Sequence, residues 1–148
     1  GDFVKSMVDQ NRLFVKKKKQ KISFESVVDD LVLNFDRDMI QQVINNIIDN
    51  AIKYSKRGTE IIVRVYTEGQ TAYTSILDQG QGIPADELNN LFKAFTVSSV
   101  KGTEQEKSTG LGLAIVKKMI NVHEGEILVE SQEGVGSTFT FTLPIPLK

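Results

Sequence analysis

One predicted helix of this chain has an apolar stripe and, beside it, a separate polar stripe. Apolar residues recur at helical period at positions 40, 43, 44, 47, 48 and 51, which predicts one buried face. Asp36 or Asp38 can cap the start of this helix, and Gly58 lies just beyond its end. A polar stripe runs beside the apolar one, at spacings of 0, 4, 7 and 8: Asn46, Asn50, Lys53 and Tyr54. Two asparagines one turn apart beside a core face favour a cleft, and a solvated helix side is the alternative.

Composition bounds the possible functions. The 148 residues favour a single domain, and 40% hydrophobic with 25% charged residues is typical of a globular protein. A net charge of −1 provides no global field to attract nucleic acid or an anionic membrane. There is no cysteine and only one histidine, so disulfides, thiolate sites and two-histidine sites are excluded. No apolar run approaches a membrane span, and no secretory signal opens the chain.

The remaining segments predict helices interleaved with hairpins. Strands are expected at 22–28, 31–35, 60–66, 71–77, 126–131 and 137–143, with helices at 2–20, 85–92 and from about 109 to 122. Residues 96–109 are mostly polar and are expected to form a mobile loop. The last helix is expected to bury Leu111, Ala114, Ile115, Met119 and Val122. This order predicts an α+β fold, a two-layer α/β sandwich with a mixed, mostly antiparallel sheet packed against helices.

Two glycine turns stand at positions where a ligand could approach the backbone. Thr109, Gly110, Leu111, Gly112 and Leu113 lie where the polar loop becomes a helix. Unpaired N–H groups at a helix start attract phosphate, so this turn could cradle a polyphosphate. Close helix packing that needs small residues is an equally good interpretation.

The other turn follows a strand that ends in a carboxylate. Asp78 can accept a hydrogen bond from an adenine amino group, while Gly80 and Gly82 leave room for the flat ring. A plain Asp–Gly turn is the alternative for Asp78 taken alone.

The polar stripe of the two-striped helix also offers side chains that suit a nucleotide. An asparagine oxygen suits Mg²⁺, Lys53 suits phosphate and Tyr54 can pack on a base or ribose.

Four segments in order resemble the catalytic domain of sensor histidine kinases. They are NIIDNAIKYS at 46–55, DQGQGIP at 78–84, LFKAF at 91–95 and TGLGLAIV at 109–116, which resemble that family's N, G1, F and G2 boxes. The closing HEGEI and GVGSTF segments also match, and the resemblance covers about residues 20–145. It implies the Bergerat ATP-binding fold, shared with DNA gyrase, the large heat-shock chaperone and MutL-type repair proteins.

The resemblance also implies roles for individual residues. Asn50 would bind Mg²⁺, Asn46 would order the metal, water and phosphates, and Lys53 would meet phosphate. Asp78 would bond the adenine amino group in a site shaped by its two glycines. The remaining residues would line or close the site: Tyr54 and Ile83 at the nucleotide pocket, Phe92 and Phe95 anchoring a lid, and Gly110 and Gly112 letting the lid close.

Two departures bear on the reaction. The hydrolytic relatives carry a water-activating glutamate where this chain has Asn46, and an amide is a poor general base. This favours phosphoryl transfer over hydrolysis. The arginine that often follows the F box is missing, and Lys101 or Lys107 would replace it without a guanidinium fork.

The resemblance implies an ATP- and magnesium-dependent kinase domain, residues 21–148, which phosphorylates a histidine on a separate dimerisation domain. Residues 1–20 would be a linker or the tail of that missing helical hairpin. The only histidine, His123, is expected to be structural, near a helix C-terminus where positive charge is favourable. The lysine run at 16–19 is expected to be solvated, without nucleic-acid contact.

The expected partners are ATP, the dimerisation domain and a response-regulator receiver domain. The isolated domain is expected to be monomeric and cytoplasmic, as the cytoplasmic portion of a sensor that could be anchored in a membrane. A serine kinase of the anti-sigma type, and a non-catalytic nucleotide-binding signalling module, are the two alternatives.

Overall fold

Three α-helices, a short 3₁₀ helix and five strands form the part of the chain that the structure describes. The computed structural model describes residues 2–17, 19–27, 33, 35–90 and 112–146. No described helix combines the length and the apolar character needed to cross a membrane. The elements in chain order are α1 Asp2–Lys17, β1 Lys21–Ser26, α2 Arg37–Tyr54, β2 Glu60–Glu68, β3 Thr71–Asp78, the 3₁₀ helix Ala85–Asn90, α3 Gly112–Val122, β4 Ile127–Gln132 and β5 Gly136–Pro144.

The five strands form one mixed sheet in the order β1-β2-β3-β5-β4. β1 pairs with β2 in parallel, and the other neighbouring pairs are antiparallel. This confirms the predicted α+β class and the mostly antiparallel sheet. The predicted strand at 31–35 falls largely outside the described residues, and positions 33 and 35 are not in a strand.

The apolar stripe of α2 forms the centre of the core, as predicted. Its buried residues are Ile40, Val43, Ile44, Ile47, Ile48 and Ala51. The helix begins after Asp36, whose Oδ1 accepts a hydrogen bond from the Met39 N–H at 3.0 Å. Burying each large aliphatic side chain of the stripe stabilises the fold by about 1.5–3 kcal/mol, so this helix is held firmly against the sheet.

Helix α1 packs into the same core. Val4, Met7, Val8 and Val15 are buried in its main cluster. Asn11 Nδ2 donates to Asn45 Oδ1 at 3.1 Å, which ties α1 to α2. Much of the predicted 1–20 segment is therefore packed on the domain, and its assignment to a preceding helical hairpin stays a prediction.

The buried face of α3 differs from the predicted one. Ile115 is 37% exposed and Val122 is 62% exposed, whereas Val116 and Ile120 are fully buried. Leu113 and Met119 pack against the core from partly buried positions. The prediction was wrong because apolar residues surround the first turns of this helix, so the sequence pattern alone does not fix its phase.

His123 joins the end of α3 to the start of α2. Its Nε2 accepts a hydrogen bond from the Asp36 N–H at 2.9 Å, and its Nδ1 lies 2.8 Å from the Met119 carbonyl oxygen. A carbonyl only accepts and an N–H only donates, so these contacts require a neutral ring with its proton on Nδ1. The hydrogen bonds at both ring nitrogens support the predicted structural role of His123.

Candidate functional site

The loop after β3 packs against the C-terminal end of α2. Gly80 forms an isolated antiparallel bridge with Ser55, and Gln81 N donates to the Tyr54 carbonyl oxygen at 3.1 Å. A Cβ at Gly80 would lie 2.5 Å from that same carbonyl oxygen, so only glycine fits without a shift. The structure thus brings together Tyr54, at the end of the polar stripe, and the predicted adenine loop.

One carboxylate oxygen of Asp78 is held by the backbone. Its Oδ1 accepts hydrogen bonds from Gly80 N at 2.9 Å and from Ser137 N at 3.2 Å. Within the described part of the chain, Oδ2 has no hydrogen-bond partner. Burial raises the pKa of Asp78 from its ordinary 3.8 to about 6, although the two hydrogen bonds lower it. Asp78 is therefore a fixed acceptor with one oxygen available to a ligand.

A polar row crosses three strands at this end of the sheet. Asp78 pairs with Ser137, and Ser137 pairs with Ser131 on β4. The next row on the same face is entirely apolar: Ile76, Phe139 and Val129. The helix-facing side of the sheet thus changes from core to polar site within two residues of each strand. Sequence reasoning missed both serines because it could not pair these strands.

The β4–β5 turn closes over the loop that follows Asp78. Gly134 N donates to the Gln81 carbonyl oxygen at 2.8 Å, and Ile83 N donates to Ser131 Oγ at 2.7 Å. Gly82 has a φ of +74°, and a Cβ there would lie 2.2 Å from the Gln132 carbonyl oxygen. Glycine at position 82 is therefore required by this backbone contact with the turn, and its expected role of leaving room for the adenine ring stays a prediction.

The start of α3 packs against the middle of α2. Asn46 Nδ2 makes a long contact of 3.5 Å with the Gly112 carbonyl oxygen. A Cβ at Gly112 would lie 3.8 Å from Asn46 Cγ, which is an ordinary contact. Gly112 therefore permits close packing without demanding it, and Leu113 beside it packs partly buried on the core.

Asn50 lies between these two contact regions. It is half-buried, and no described residue forms a hydrogen bond with its amide. Lys53 Nζ forms an ion pair with Asp49 Oδ2 at 3.0 Å, and the Asp49 side chain is exposed. An exposed pair of this kind contributes about 0–1 kcal/mol, so Lys53 could exchange it for a phosphate.

The donor set fits Mg²⁺ as a nucleotide-bound ion. In the described residues no cluster of three acidic or histidine side chains could form a protein cage for a metal. A single hard amide oxygen at Asn50 suits a cation that keeps waters and phosphate oxygens as its other ligands.

The polar stripe of α2 links the two regions. Asn46 contacts the start of α3 and Tyr54 contacts the loop after Asp78, with a helical rise of about 12 Å between them. That separation suits the phosphate and base ends of one nucleotide. Seven predicted site residues lie outside the described residues: Phe92, Phe95, Lys101, Lys107, Thr109, Gly110 and Leu111.

Comparison with known families decides among the proteins that could share this architecture. Residues 35–147 match the family described as histidine kinase-, DNA gyrase B- and HSP90-like ATPase. This chain belongs to that family. The match includes α2, the Asp78 loop, α3 and the β4–β5 hairpin, which confirms the resemblance predicted from the four boxes.

Individual relatives place the chain on the histidine kinase side of the family. The sensor histidine kinase WalK of Bacillus subtilis is 43% identical over 117 residues, covering 78% of this chain and 19% of WalK. The nucleotide-free catalytic domain of the histidine kinase ThkA has a TM-score of 0.84 at 27% identity, covering 97% of this chain and 91% of that domain. The chain is therefore a histidine kinase catalytic, ATP-binding domain.

A structure of ThkA in complex with the response regulator TrrA is also similar. Its TM-score is 0.78 at 25% identity, covering 98% of this chain and 40% of that one. The chain spans less than a fifth of the length of WalK, so WalK contains much more than this domain.

Proposed function

We propose that this domain binds Mg-ATP and transfers its γ-phosphate to a histidine on a separate dimerisation domain. The observation that carries the proposal is the state of Asp78, with one oxygen fixed by two backbone N–H groups and the other without a partner among the described residues. Such a carboxylate is oriented before the ligand arrives, so little ordering cost remains for binding.

The adenine end of the nucleotide lies at the loop after β3. Asp78 Oδ2 accepts a hydrogen bond from the adenine amino group. Gly80 and Gly82 have no side chains, which leaves room for the flat ring of the base. Ile83 and Tyr54 line the pocket beside the base. The pair of hydrogen bonds on Oδ1 keeps the carboxylate plane fixed during this recognition.

The phosphate end lies along α2 toward Asn46. Asn50 holds Mg²⁺ through its amide oxygen, Lys53 releases Asp49 and meets phosphate, and the segment from Thr109 to Leu113 cradles the chain of phosphates. When bound, Mg²⁺ neutralises charge on the β- and γ-phosphates. Lys101 or Lys107 supplies a further positive charge from the lid, which Phe92 and Phe95 anchor.

Asn46 supports transfer rather than hydrolysis. Its amide is not a usable base near neutral pH, and its Nδ2 faces the Gly112 carbonyl oxygen. Because Asn46 cannot activate water, positioning and charge neutralisation provide most of the rate enhancement of phosphoryl transfer to the acceptor histidine.

The partners follow from the same proposal. The complex of ThkA with its response regulator supports a receiver domain as the downstream acceptor of the phosphoryl group. We place the domain in the cytoplasm, where ATP is available, as a monomer that docks on the dimerisation domain.

The test is phosphoryl transfer in two parts. The chain is mixed with the dimerisation domain of the same kinase and γ-labelled ATP, and label on that domain is followed over time. The proposal expects label that is lost in acid and retained in base, as phosphohistidine is. Acid-stable label would contradict it in favour of a serine kinase, and tight ATP binding without any transfer would contradict it in favour of a signalling module.

A matched control separates transfer from hydrolysis. Asn46→Glu introduces the carboxylate of the hydrolytic relatives at the same position. The proposal expects free phosphate release to rise relative to histidine labelling in this variant. Substantial phosphate release by the wild-type chain alone would contradict the transferase assignment.

A further inference from the structure

The Ser131 hydroxyl uses all of its hydrogen-bonding capacity in three contacts. Its Oγ accepts from Ile83 N at 2.7 Å, donates to the Gly136 carbonyl oxygen at 3.1 Å, and lies 2.7 Å from Ser137 Oγ. A hydroxyl has one proton and two acceptor positions, so with its proton on Gly136 the remaining bond is donated by Ser137. One side chain therefore ties together the loop after Asp78 and the beginning of β5.

Both of these ties lead to Asp78. The Ser137 hydroxyl is fixed by Ser131, and the backbone N–H of the same Ser137 donates to Asp78 Oδ1. The loop containing Gly80 and Gly82 begins at Asp78 and reaches Ser131 at Ile83. Backbone hydrogen bonds also join the loop to Tyr54 and Gly134. The Gln79 Oε1 accepts a hydrogen bond from Glu60 N at 3.0 Å, which a substitution at Ser131 leaves in place.

We propose that Ser131 is a positioning residue for adenine recognition, acting through Ser137 and the 79–83 loop to hold Asp78 in place. Ser131 lies on the far strand of the polar row and is two strands away from Asp78. It sets the position of the carboxylate and does not itself touch the base. This inference rests on the proposed role of Asp78.

Base discrimination distinguishes positioning from a general loss of stability. ATP carries the amino group that Asp78 accepts from, whereas inosine triphosphate (ITP) carries a carbonyl oxygen in its place. Losing the Ser131 hydroxyl should weaken ATP binding more than ITP binding. Since the loss is that of one neutral hydrogen bond, we expect the ratio of the ATP affinity to the ITP affinity to fall by about three- to tenfold in Ser131→Ala.

Two sets of controls accompany this measurement by calorimetry. Ser75→Ala removes a hydroxyl from the same sheet, one that pairs with Thr140 Oγ1 at 2.8 Å, away from the loop. It should leave the ATP-to-ITP ratio unchanged. Threonine and valine have nearly the same shape, and a methyl group in valine replaces the hydroxyl of threonine. Comparing Ser131→Thr with Ser131→Val therefore tests the hydroxyl even if the alanine variant does not fold.

The proposal is supported when Ser131→Ala and Ser131→Val lower the ratio and Ser131→Thr keeps it. It is overturned when Ser131→Ala discriminates as well as the wild type, or when the threonine and valine variants give equal ratios. A wild-type chain that binds ATP and ITP equally would instead overturn the proposed role of Asp78 itself.

Discussion

The backbone N–H of Ser137 donates to Asp78 Oδ1 at 3.2 Å, across the junction between β5 and β3. The same oxygen accepts from Gly80 N at 2.9 Å. The family's closing hairpin is therefore part of the carboxylate's environment, and it helps to bury the charge. The raised pKa of Asp78, about 6, is the consequence, because burial has a larger effect than the two hydrogen bonds.

Asp78→Asn should stabilise the ligand-free domain while it removes nucleotide binding. The amide oxygen can accept the same two backbone hydrogen bonds, and the buried charge is lost. At pH 7 we expect the free energy of unfolding to rise by about 1–3 kcal/mol, measured by denaturant or thermal unfolding. Calorimetry should show a large loss of ATP affinity. The control is Asp86→Asn, which removes an exposed carboxylate from the 3₁₀ helix, and equal effects of the two substitutions would contradict the assignment.

The stability of the ligand-free domain should depend on pH through Asp78. Since its pKa is raised from 3.8 to about 6 on folding, the folded state binds the proton more tightly than the unfolded state does. The contribution is fully present below pH 3.8 and is lost as pH rises through about 6. Wild type should therefore lose stability relative to Asp78→Asn across this window, and a constant difference between the two proteins would refute the shift.

Adenine recognition should have the opposite pH dependence. A protonated Asp78 is a poor acceptor for the amino group, so ATP affinity should fall below pH 6 by up to about tenfold per pH unit. The ratio of ATP to ITP affinity cancels the titration of the phosphates, which both nucleotides share. A ratio of ATP to ITP affinity that stays constant from pH 5 to pH 8 would show that Asp78 does not recognise the adenine amino group.

Asn50→Ala should abolish most of the magnesium dependence of ATP binding. Removing a ligand of a charged centre costs about 1.5–3 kcal/mol, so we expect about a tenfold or greater loss of affinity with Mg²⁺ and little change without it. Asn45→Ala is the matched control, because it removes another amide of the same helix, one that faces α1 and accepts a hydrogen bond from Asn11. Affinity that ignores Mg²⁺ in the wild type would contradict the metal assignment.

Gly134 and Gly82, which have similar positive φ angles, should respond differently to alanine. Gly134 has a φ of +81° with nothing near a built Cβ, whereas Gly82 has a φ of +74° with a carbonyl oxygen 2.2 Å away. Gly134→Ala should cost about 1–2 kcal/mol of stability from backbone strain alone. Gly82→Ala should cost about 3 kcal/mol or more and also weaken ATP binding. Equal unfolding midpoints would show that the turn does not close tightly on the loop.

Local pattern was sufficient to predict much of the fold. The six apolar positions of α2 are all buried, because a helix with one apolar stripe has only one way to face a core. The two hairpins and the mixed sheet followed from alternation and turn residues in the same way. The family resemblance then predicted that Asp78 and the polar stripe of α2 bind one nucleotide.

The errors and omissions have a common cause in tertiary pairing. The phase of α3 depends on its packing against α2 near Asn46, and no periodicity distinguishes Val116 from Ile115 in that run. Ser137 becomes part of the site only when β5 pairs with β3, at a sequence separation of 59 residues from Asp78. Ser131 joins the site only when β4 also pairs with β5. Alternation with Phe139 does indicate that Ser137 faces inward, but it does not predict which residue of the adjacent strand pairs with Ser137.

The most direct test of the account is a crystal structure of this chain with Mg²⁺ and a non-hydrolysable ATP analogue. We predict the adenine amino group within hydrogen-bond distance of Asp78 Oδ2, the metal on Asn50 Oδ1, and the phosphates beside Asn46 at the start of α3. A nucleotide seated elsewhere, such as on the outer face of the sheet, or a base turned away from Asp78, would contradict it.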